Sequence, residues 1–169
     1  MRLFIPRYQQ VIASHIKLAL LAYRVNPDIA KLYSLLFDPF FLLMFGIDMT
    51  SYTVRVMKLR IAHPSGILLG GSGIVSHGEV LISSGVKFVG RSPSHPSYLC
   101  EHANRAVFRL GNNVFIGANT VVIGPISICD NVIISASSLV NRNIDPPGTY
   151  GGTPIRMLKS SVDYSWFLG

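Results

Sequence analysis

Residues 114–143 read VFIGAN TVVIGP ISICDN VIISAS SLVNRN when they are divided into blocks of six. The first and third positions of every block are aliphatic or carry a small hydroxyl side chain, and this phase holds as far as Ile144. Turn-forming residues such as Gly117, Asn119 and Pro125 fall between the strand positions. Ordinary strands alternate with a period of two and do not keep a period of six. The repeat therefore predicts a mainly β fold in which three short strands form each triangular coil, with about 18 residues per coil.

The same six-residue step occurs earlier in the chain, at Leu68, Ile74, Val80 and Val86. The two runs are out of phase with each other, which predicts an inserted loop at 90–106, a stretch rich in Gly, Pro and Ser. We expect a helical segment over 1–46, the β-helix over 47–158 and a tail over 159–169.

The segment before the repeats is predicted to be helical. Apolar residues recur at helical spacing from Ile12 to Tyr23, and Asn26-Pro27-Asp28 marks a turn and a new helix start. We expect the second helix to end near Phe37, because Asp38-Pro39 follows, and a third short apolar piece to run over 40–45. The most apolar stretch, from Leu32 to Ile47, is too short to span a bilayer, but peripheral association with a membrane surface stays open.

The composition narrows the choice of partners. Hydrophobic residues make up 49% of the chain, charged residues 14%, and the mean hydropathy is +0.42, so we expect apolar surface to be buried against other subunits or a membrane. The net charge is +7, but the basic residues are scattered and form no nucleic-acid motif, which argues against nucleic acid. Cys100 and Cys129 show neither a metal-ligand spacing nor a disulfide framework, and no signal-peptide layout is seen, which predicts the cytoplasm.

Four further segments stand in a fixed order around the repeats. They are Leu21-Ala22-Tyr23-Arg24-Val25, Gly46-Ile47-Asp48-Met49, Ile61-Ala62-His63-Pro64-Ser65-Gly66-Ile67 and Tyr150-Gly151-Gly152-Thr153-Pro154-Ile155-Arg156. Together with the hexads, this set resembles the left-handed β-helix acyltransferases. Within them it resembles the serine acetyltransferase-like branch, which includes capsule and exopolysaccharide O-acetyltransferases.

The resemblance implies a left-handed parallel β-helix and an acetyl-CoA-dependent transfer of an acetyl group to a hydroxyl. By the family match, His63 is the general base that takes the alcohol proton, and a neutral imidazole suits this task. Asp48 stands at the position of the family's acidic partner and would orient and stabilise the imidazolium. No metal is expected.

The resemblance also implies a homotrimer whose active sites, with acetyl-CoA, lie between subunits. Small residues would let the pantetheine arm approach the backbone and cations would pair with phosphates, at Gly117, Ala118, Ser135, Ala136, Thr153, Arg156 and Lys159. A β-helix turn needs small residues in any case, so a purely structural explanation of them stays open. The inserted loop would recognise the acceptor through His95, His102 or Arg105.

Two departures from true serine acetyltransferases affect the acceptor. Ala62 stands where those enzymes carry an Asp, and Ala106 and Val107 stand where they carry an Arg-His pair. We therefore expect a hydroxyl of a sugar or of a polysaccharide precursor, processed in the cytoplasm or at the inner face of the membrane, and keep serine as the alternative acceptor. A non-catalytic trimeric scaffold and a zinc enzyme resembling γ-type carbonic anhydrases, using His63, His95 and His102, are the alternatives from other classes.

Overall fold

The computed structural model describes residues 7–91, 94 and 107–167, with the side chains of Arg7 and Trp166 excepted. The described chain opens with two antiparallel helices, α1 (Arg7–Val25) and α2 (Pro27–Phe45). Asn26 caps α2, because its side chain accepts a hydrogen bond from the Asp28 backbone N–H and Pro27 takes the first helical position. Gly46 ends α2 in the left-handed conformation, with its N–H bonded to the Leu42 carbonyl.

Helix α2 runs through Pro39 without a break, so the predicted end near Phe37 and the separate piece at 40–45 were wrong. The helix continues because its contacts on both sides of Pro39 lie on one buried face, formed by Ala30, Ser34 and Phe41. Asp38, directly before the proline, is held by His15 and by the backbone N–H of Ser51. Tertiary contacts thus outweigh the local cost of the proline.

The repeats form a solenoid of parallel strands, as the period of six predicts. The described part of the chain contains these strands: β1 (Ile47–Met49), β2 (Val54–Ile61), β3 (Ile67–Leu69), β4 (Ile74–Ile82), β5 (Lys87–Gly90), β6 (Phe108–Leu110), β7 (Val114–Ile116), β8 (Val121–Gly124), β9 (Ile126–Ile128), β10 (Val132–Ile134), β11 (Leu139–Val140), β12 (Gly148–Gly151) and β13 (Arg156–Lys159). Short 3-10 helices occupy Ser51–Thr53 and Tyr164–Phe167.

The strands form the three faces of a prism. The first face stacks β1, β3, β5, β8 and β11. The second joins the first halves of β2 and β4 to β6 and β9, and the third joins their second halves to β7, β10 and β12. The long strands β2 and β4 therefore each contribute to two faces.

The hexad positions point into the prism. All eleven positions of the run from Val114 to Ile144 are buried, and so are Ile74, Val80 and Val86 of the earlier run. The assignment of Leu68 was wrong, since Ile67 and Leu69 are the buried residues and Leu68 is only half-buried. The first coil is also longer than the regular coils: Ile47 pairs with Ile67, 20 positions on, against 18 from Val114 to Val132.

The register also gives the size of the insertion. Val80 pairs with Val114, 34 positions later, and Val114 pairs with Val132, 18 positions later, so the intervening coil carries 16 extra residues. Most of these fall in the range 90–106, which lies largely outside the described residues.

The last coil ends differently from the others. Strand β13 turns back and pairs antiparallel with β12, with a register shift at Thr149/Tyr150. The following tail returns over the outside of the third face, where Val162 and Phe167 pack on a ladder of Leu81, Phe115 and Ile133.

Candidate active site

One edge of the prism carries the predicted catalytic base. Strand registers place Ile61, Ile82, Ile116, Ile134 and Tyr150 side by side, so the turns that follow them stack along the edge between the third and first faces. We call this the His63 edge; it consists of the turns at 62–66, 83–86, 117–120, 135–138 and 152–155.

The turns of the His63 edge are stacked by backbone hydrogen bonds. The N–H of Gly117 donates to the carbonyl of Ile134 at 2.8 Å, and the N–H of Ser135 donates to that of Tyr150 at 2.8 Å. Two residues after each aligned strand end come His63, Ala118 and Ala136. The structure therefore places the predicted base in one line with two of the residues predicted for the donor, Ala118 and Ala136.

His63 itself is exposed, and within the described residues its ring has no hydrogen-bond or ion-pair partner. The turn before it is held from outside the solenoid. The Tyr8 hydroxyl and the Gln9 amide both donate to the carbonyl of Ala62, at 3.3 and 3.1 Å. Sequence reasoning missed these residues, because nothing in the repeat shows that the start of α1 reaches the turn.

Asp48 lies in the middle of β1 on the first face, paired with Leu68, and is exposed. It lines a pocket of about 370 Å³ between α2 and the first coil, which also includes Lys31, Asp38 and Tyr52. Within the part of the chain that the structure describes, no hydrogen bond or ion pair joins Asp48 to His63. The pairing of these two side chains stays a prediction.

A groove of about 670 Å³ runs beside the His63 edge at the later coils. Its lining includes five of the residues predicted for the donor: Gly117, Ala118, Ser135, Ala136 and Lys159. Thr153 and Arg156 are exposed but do not line it.

Coil stacking accounts for one of the small residues. A Cβ on Gly117 would lie 2.5 Å from the backbone nitrogen of Ala136, so the next coil excludes any side chain there. Ala118 is half-buried and Ala136 is exposed, and because both side chains are single methyl groups they take up little space at the wall of the groove. Asp163 is also in the lining, and hydrogen bonds from the hydroxyl and N–H of Ser165 lower its pKa, so the groove contains a carboxylate as well as the ammonium group of Lys159.

A buried polar network ties the helices to the first coil. His15 is 3% exposed; its Nδ1 lies 2.9 Å from the Tyr33 hydroxyl and its Nε2 lies 2.8 Å from Asp38 Oδ1. The other carboxylate oxygen of Asp38 accepts from the Ser51 N–H at 2.9 Å. Burial, followed by the negative charge of Asp38, raises the pKa of Tyr33.

Several predicted positions fall elsewhere. His95, His102, Arg105 and Ala106 lie outside the described residues. Val107 is described and only 1% exposed, inside the prism. Among 7–91, 94 and 107–167, no group of three His, Cys, Asp or Glu side chains is placed to hold a metal ion. Within the same ranges, no helix is long and apolar enough to span a membrane.

The comparisons with known proteins agree with the repeat and the fold. Residues 109–142 match the model of the bacterial transferase hexapeptide family (six repeats). The chain is thus a β-helix protein with hexapeptide repeats, and the resemblance to hexapeptide-repeat transferases is confirmed.

Individual relatives are acetyltransferases by name. The chain is 26% identical over 109 residues to the putative acetyltransferase YvoF of Bacillus subtilis, covering 64% of this chain and 56% of that protein. It is 37% identical over 54 residues to the galactoside O-acetyltransferase of Escherichia coli, covering 32% of this chain and 27% of that one. The solved serine acetyltransferase of Neisseria gonorrhoeae superimposes with a TM-score of 0.69 at 24% identity, over 91% of this chain and 56% of that one. Another serine acetyltransferase structure, a complex with CoA, gives a TM-score of 0.62 at 20% identity, over 85% of this chain and 54% of that one. The chain spans about half the length of YvoF and of these two structures.

Proposed function

We propose that the chain is an acetyl-CoA-dependent O-acetyltransferase that works as a homotrimer in the cytoplasm, with His63 as the general base. The observation that carries the proposal is the alignment of His63 with the groove of small residues along one edge of the prism. Neighbouring strands lie about 4.8 Å apart, so Ala118 is two rungs, about 10 Å, from His63 along the edge. A thioester lying in the groove can therefore point towards the imidazole.

The chemistry needs a proton acceptor that is free to meet the substrate. The acceptor oxygen attacks the thioester carbonyl, its proton passes to His63, and the carbon–sulfur bond breaks. The imidazolium then returns the proton to the departing thiolate. The exposed ring of His63 suits this exchange, and the hydrogen bonds from Tyr8 and Gln9 to the Ala62 carbonyl hold its turn in place.

The groove fits an acyl-CoA in two respects. Its wall at Ala118 and Ala136 carries only methyl groups, and the exposed ammonium of Lys159 is available for a phosphate. A serine acetyltransferase of similar fold has been solved as a complex with CoA, which supports a CoA-based donor. In the present chain, acetyl-CoA as the donor is part of the proposal.

We propose a hydroxyl of a sugar or polysaccharide precursor as the acceptor. Val107 is buried in the prism and cannot contact an acceptor, and Ala62 supplies no carboxylate, so two of the expected serine-binding groups are absent at these positions. The E. coli relative is named a galactoside O-acetyltransferase, which favours a sugar. The similarity of the fold to serine acetyltransferases keeps serine as the second candidate.

The test is release of free thiol from acetyl-CoA in the presence of sugars, polysaccharide precursors or serine. We expect a sugar-dependent rate that falls about 10²- to 10⁴-fold in His63→Ala, because general-base catalysis is worth that much. His77→Ala is the matched control, since His77 is also exposed, on β4, but lies away from the edge. Equal rates for His63→Ala and wild type would show that His63 is not the base.

Subunit mixing tests the role of Asp48. If Asp48 supports His63 across a subunit boundary, co-refolded mixtures of His63→Ala and Asp48→Asn protomers recover part of the activity, because some interfaces then contain both side chains. If the pair forms within one protomer, the mixtures stay inactive. If Asp48→Asn has the wild-type rate, Asp48 takes no part in the mechanism.

A further inference from the structure

The helical hairpin carries most of the exposed large apolar side chains of the described chain. The described residues include 17 exposed large hydrophobic side chains, and 13 of them lie on α1 and α2. On α2, Leu36 is 64% exposed and Leu43 84%. Along α2 from Leu32 to Phe45 the one charged residue is Asp38, which is turned inward. Soluble proteins rarely expose so many apolar side chains together unless a partner or a membrane covers them.

The apolar arc of α2 is too wide for one helix–helix seam. Ile29, Leu36 and Leu43 follow one another at seven-residue spacing, while Leu35 and Met44 stand about 100° and 80° to either side of that line. A helix seam covers a narrow a/d stripe, whereas a helix lying in a membrane interface exposes a broad apolar face.

The rim of this surface is basic. On α1, Lys17 and Arg24 are exposed and seven positions apart, each directly before an exposed apolar residue, Leu18 and Val25. The acidic residue exposed on the described helices is Asp28, which is paired with Lys31. Anionic lipid headgroups complement this rim, whereas a second copy of the same face would bring like charges together.

We propose that the α1–α2 hairpin docks on an anionic membrane surface and brings His63 to a hydroxyl acceptor anchored in that membrane. This inference rests on the proposed O-acetyltransferase function. The hairpin covers the first coil, and the start of α1 holds the Ala62 carbonyl beside His63. The imidazole thus lies about one helix diameter, roughly 10–15 Å, from the outer face of the hairpin.

The pocket at Asp48 opens towards the same surface. Leu35 and Leu42 belong to the exposed apolar face of α2 and also line this pocket. A lipid-anchored sugar could therefore keep its chain in the bilayer while its headgroup reaches the first coil. The bonds made and broken are those of the proposed transfer, with the acceptor oxygen forming the ester and the thiolate leaving as CoA thiol.

Flotation with vesicles tests the docking. We expect the wild type to float with vesicles of 70% phosphatidylcholine and 30% phosphatidylglycerol, and more weakly with pure phosphatidylcholine. The Leu36→Glu/Leu43→Glu variant should partition at least about 10-fold less, because two large apolar side chains no longer enter the interface. Met157→Glu is the matched control: Met157 is 40% exposed on β13, in the last coil and away from the hairpin, and this variant should float like the wild type. Lys17→Gln/Arg24→Gln should remove the preference for the anionic vesicles.

The acceptor is tested with a long-chain alkyl glycoside embedded in the vesicles and a methyl glycoside in solution. We expect the Leu36/Leu43 variant to lose activity on the embedded acceptor alone and to keep the wild-type rate on the soluble one. The rate of His63→Ala on the soluble methyl glycoside tests the transferase function by itself, because that reaction needs no vesicle. A failure of membrane docking can therefore be distinguished from a failure of the proposed function. Docking is refuted if the wild type does not float, if the variant floats equally well, or if light scattering shows that the variant only dissociates an assembly formed through this face.

Discussion

Replacing His15 by alanine tests how strongly the hairpin is fixed to the solenoid. The imidazole is buried, stacks on Phe41 with ring centroids 3.9 Å apart, and hydrogen-bonds to both Tyr33 and Asp38. Its removal leaves a cavity and deprives a largely buried carboxylate of one partner, while the Ser51 N–H still donates to Asp38. Loss of a buried partner costs about 1–3 kcal/mol, and truncating a buried ring adds to it. Together we expect His15→Ala to lower the free energy of unfolding by about 3–5 kcal/mol.

Urea unfolding at one fixed protein concentration measures this change, and the fixed concentration removes any effect of self-association on the stability. His15→Phe keeps the ring stacking and should recover part of the loss. Lys31→Ala removes an exposed ion pair with Asp28 and should cost less than about 0.5 kcal/mol. A free energy of unfolding for His15→Ala within about 1 kcal/mol of the wild-type value would refute the reasoning, because it would mean that the buried hydrogen bonds and the stacked ring contribute almost nothing to stability.

Three further predictions concern the acid stability, the groove and the core. Burial raises the pKa of Glu79, but the hydrogen bonds and positive charges of Lys58 and Arg60 together outweigh it and lower the pKa. The stabilising effect of this carboxylate is therefore present above the ordinary carboxyl pKa and fades as the pH falls through the lowered value. Glu79→Gln should therefore cost about 0.5–1 kcal/mol at pH 7 and almost nothing in strong acid, as measured by unfolding across that range. Ala136→Trp should fill the groove and raise the KM for acetyl-CoA, whereas Asn141→Trp, at an exposed position outside the groove, should leave it unchanged; equal values for the two would argue against donor binding there. Ile134→Ala should lower the unfolding free energy by about 2–5 kcal/mol, because Ile134 is fully buried; a loss below 1 kcal/mol would mean that the prism relaxes around the cavity.

The regular coils of the fold could be predicted from the sequence because their apolar positions repeat at a fixed interval. From Val114 to Ile144 each inward position repeats after six residues, and the structure buries every one of them. The phase slipped at Leu68, since the buried positions Ile67 and Ile74 are seven residues apart and a fixed step of six cannot detect the extra residue. The helix through Pro39 was missed for another reason: the proline's local effect is visible in the sequence, but the partners of Asp38 are not.

Only part of the candidate site could be predicted from the sequence. The motif around His63 and the small residues of the later turns could be found, but not that they share one edge, because this depends on the register across the insertion. Tyr8 and Gln9 act on Ala62 from more than fifty positions away, a contact that no local pattern encodes. Asp48 lies 15 positions before His63, and no hydrogen bond or ion pair joins the two side chains in the described part of the chain.

The reversed strand β13 has a consequence for how molecules of this chain can meet. A stack of parallel coils ends in unpaired backbone groups, which can accept another chain and grow into a fibre. Here the last rung of the third face runs the opposite way, is short and shifted in register, and carries Arg156 and Lys159, while helices lie over the first coil. The reversed strand therefore keeps the third face from continuing as a parallel stack beyond β12. A chain cut before Arg156 would expose β12 as a bare edge, and we expect it to aggregate.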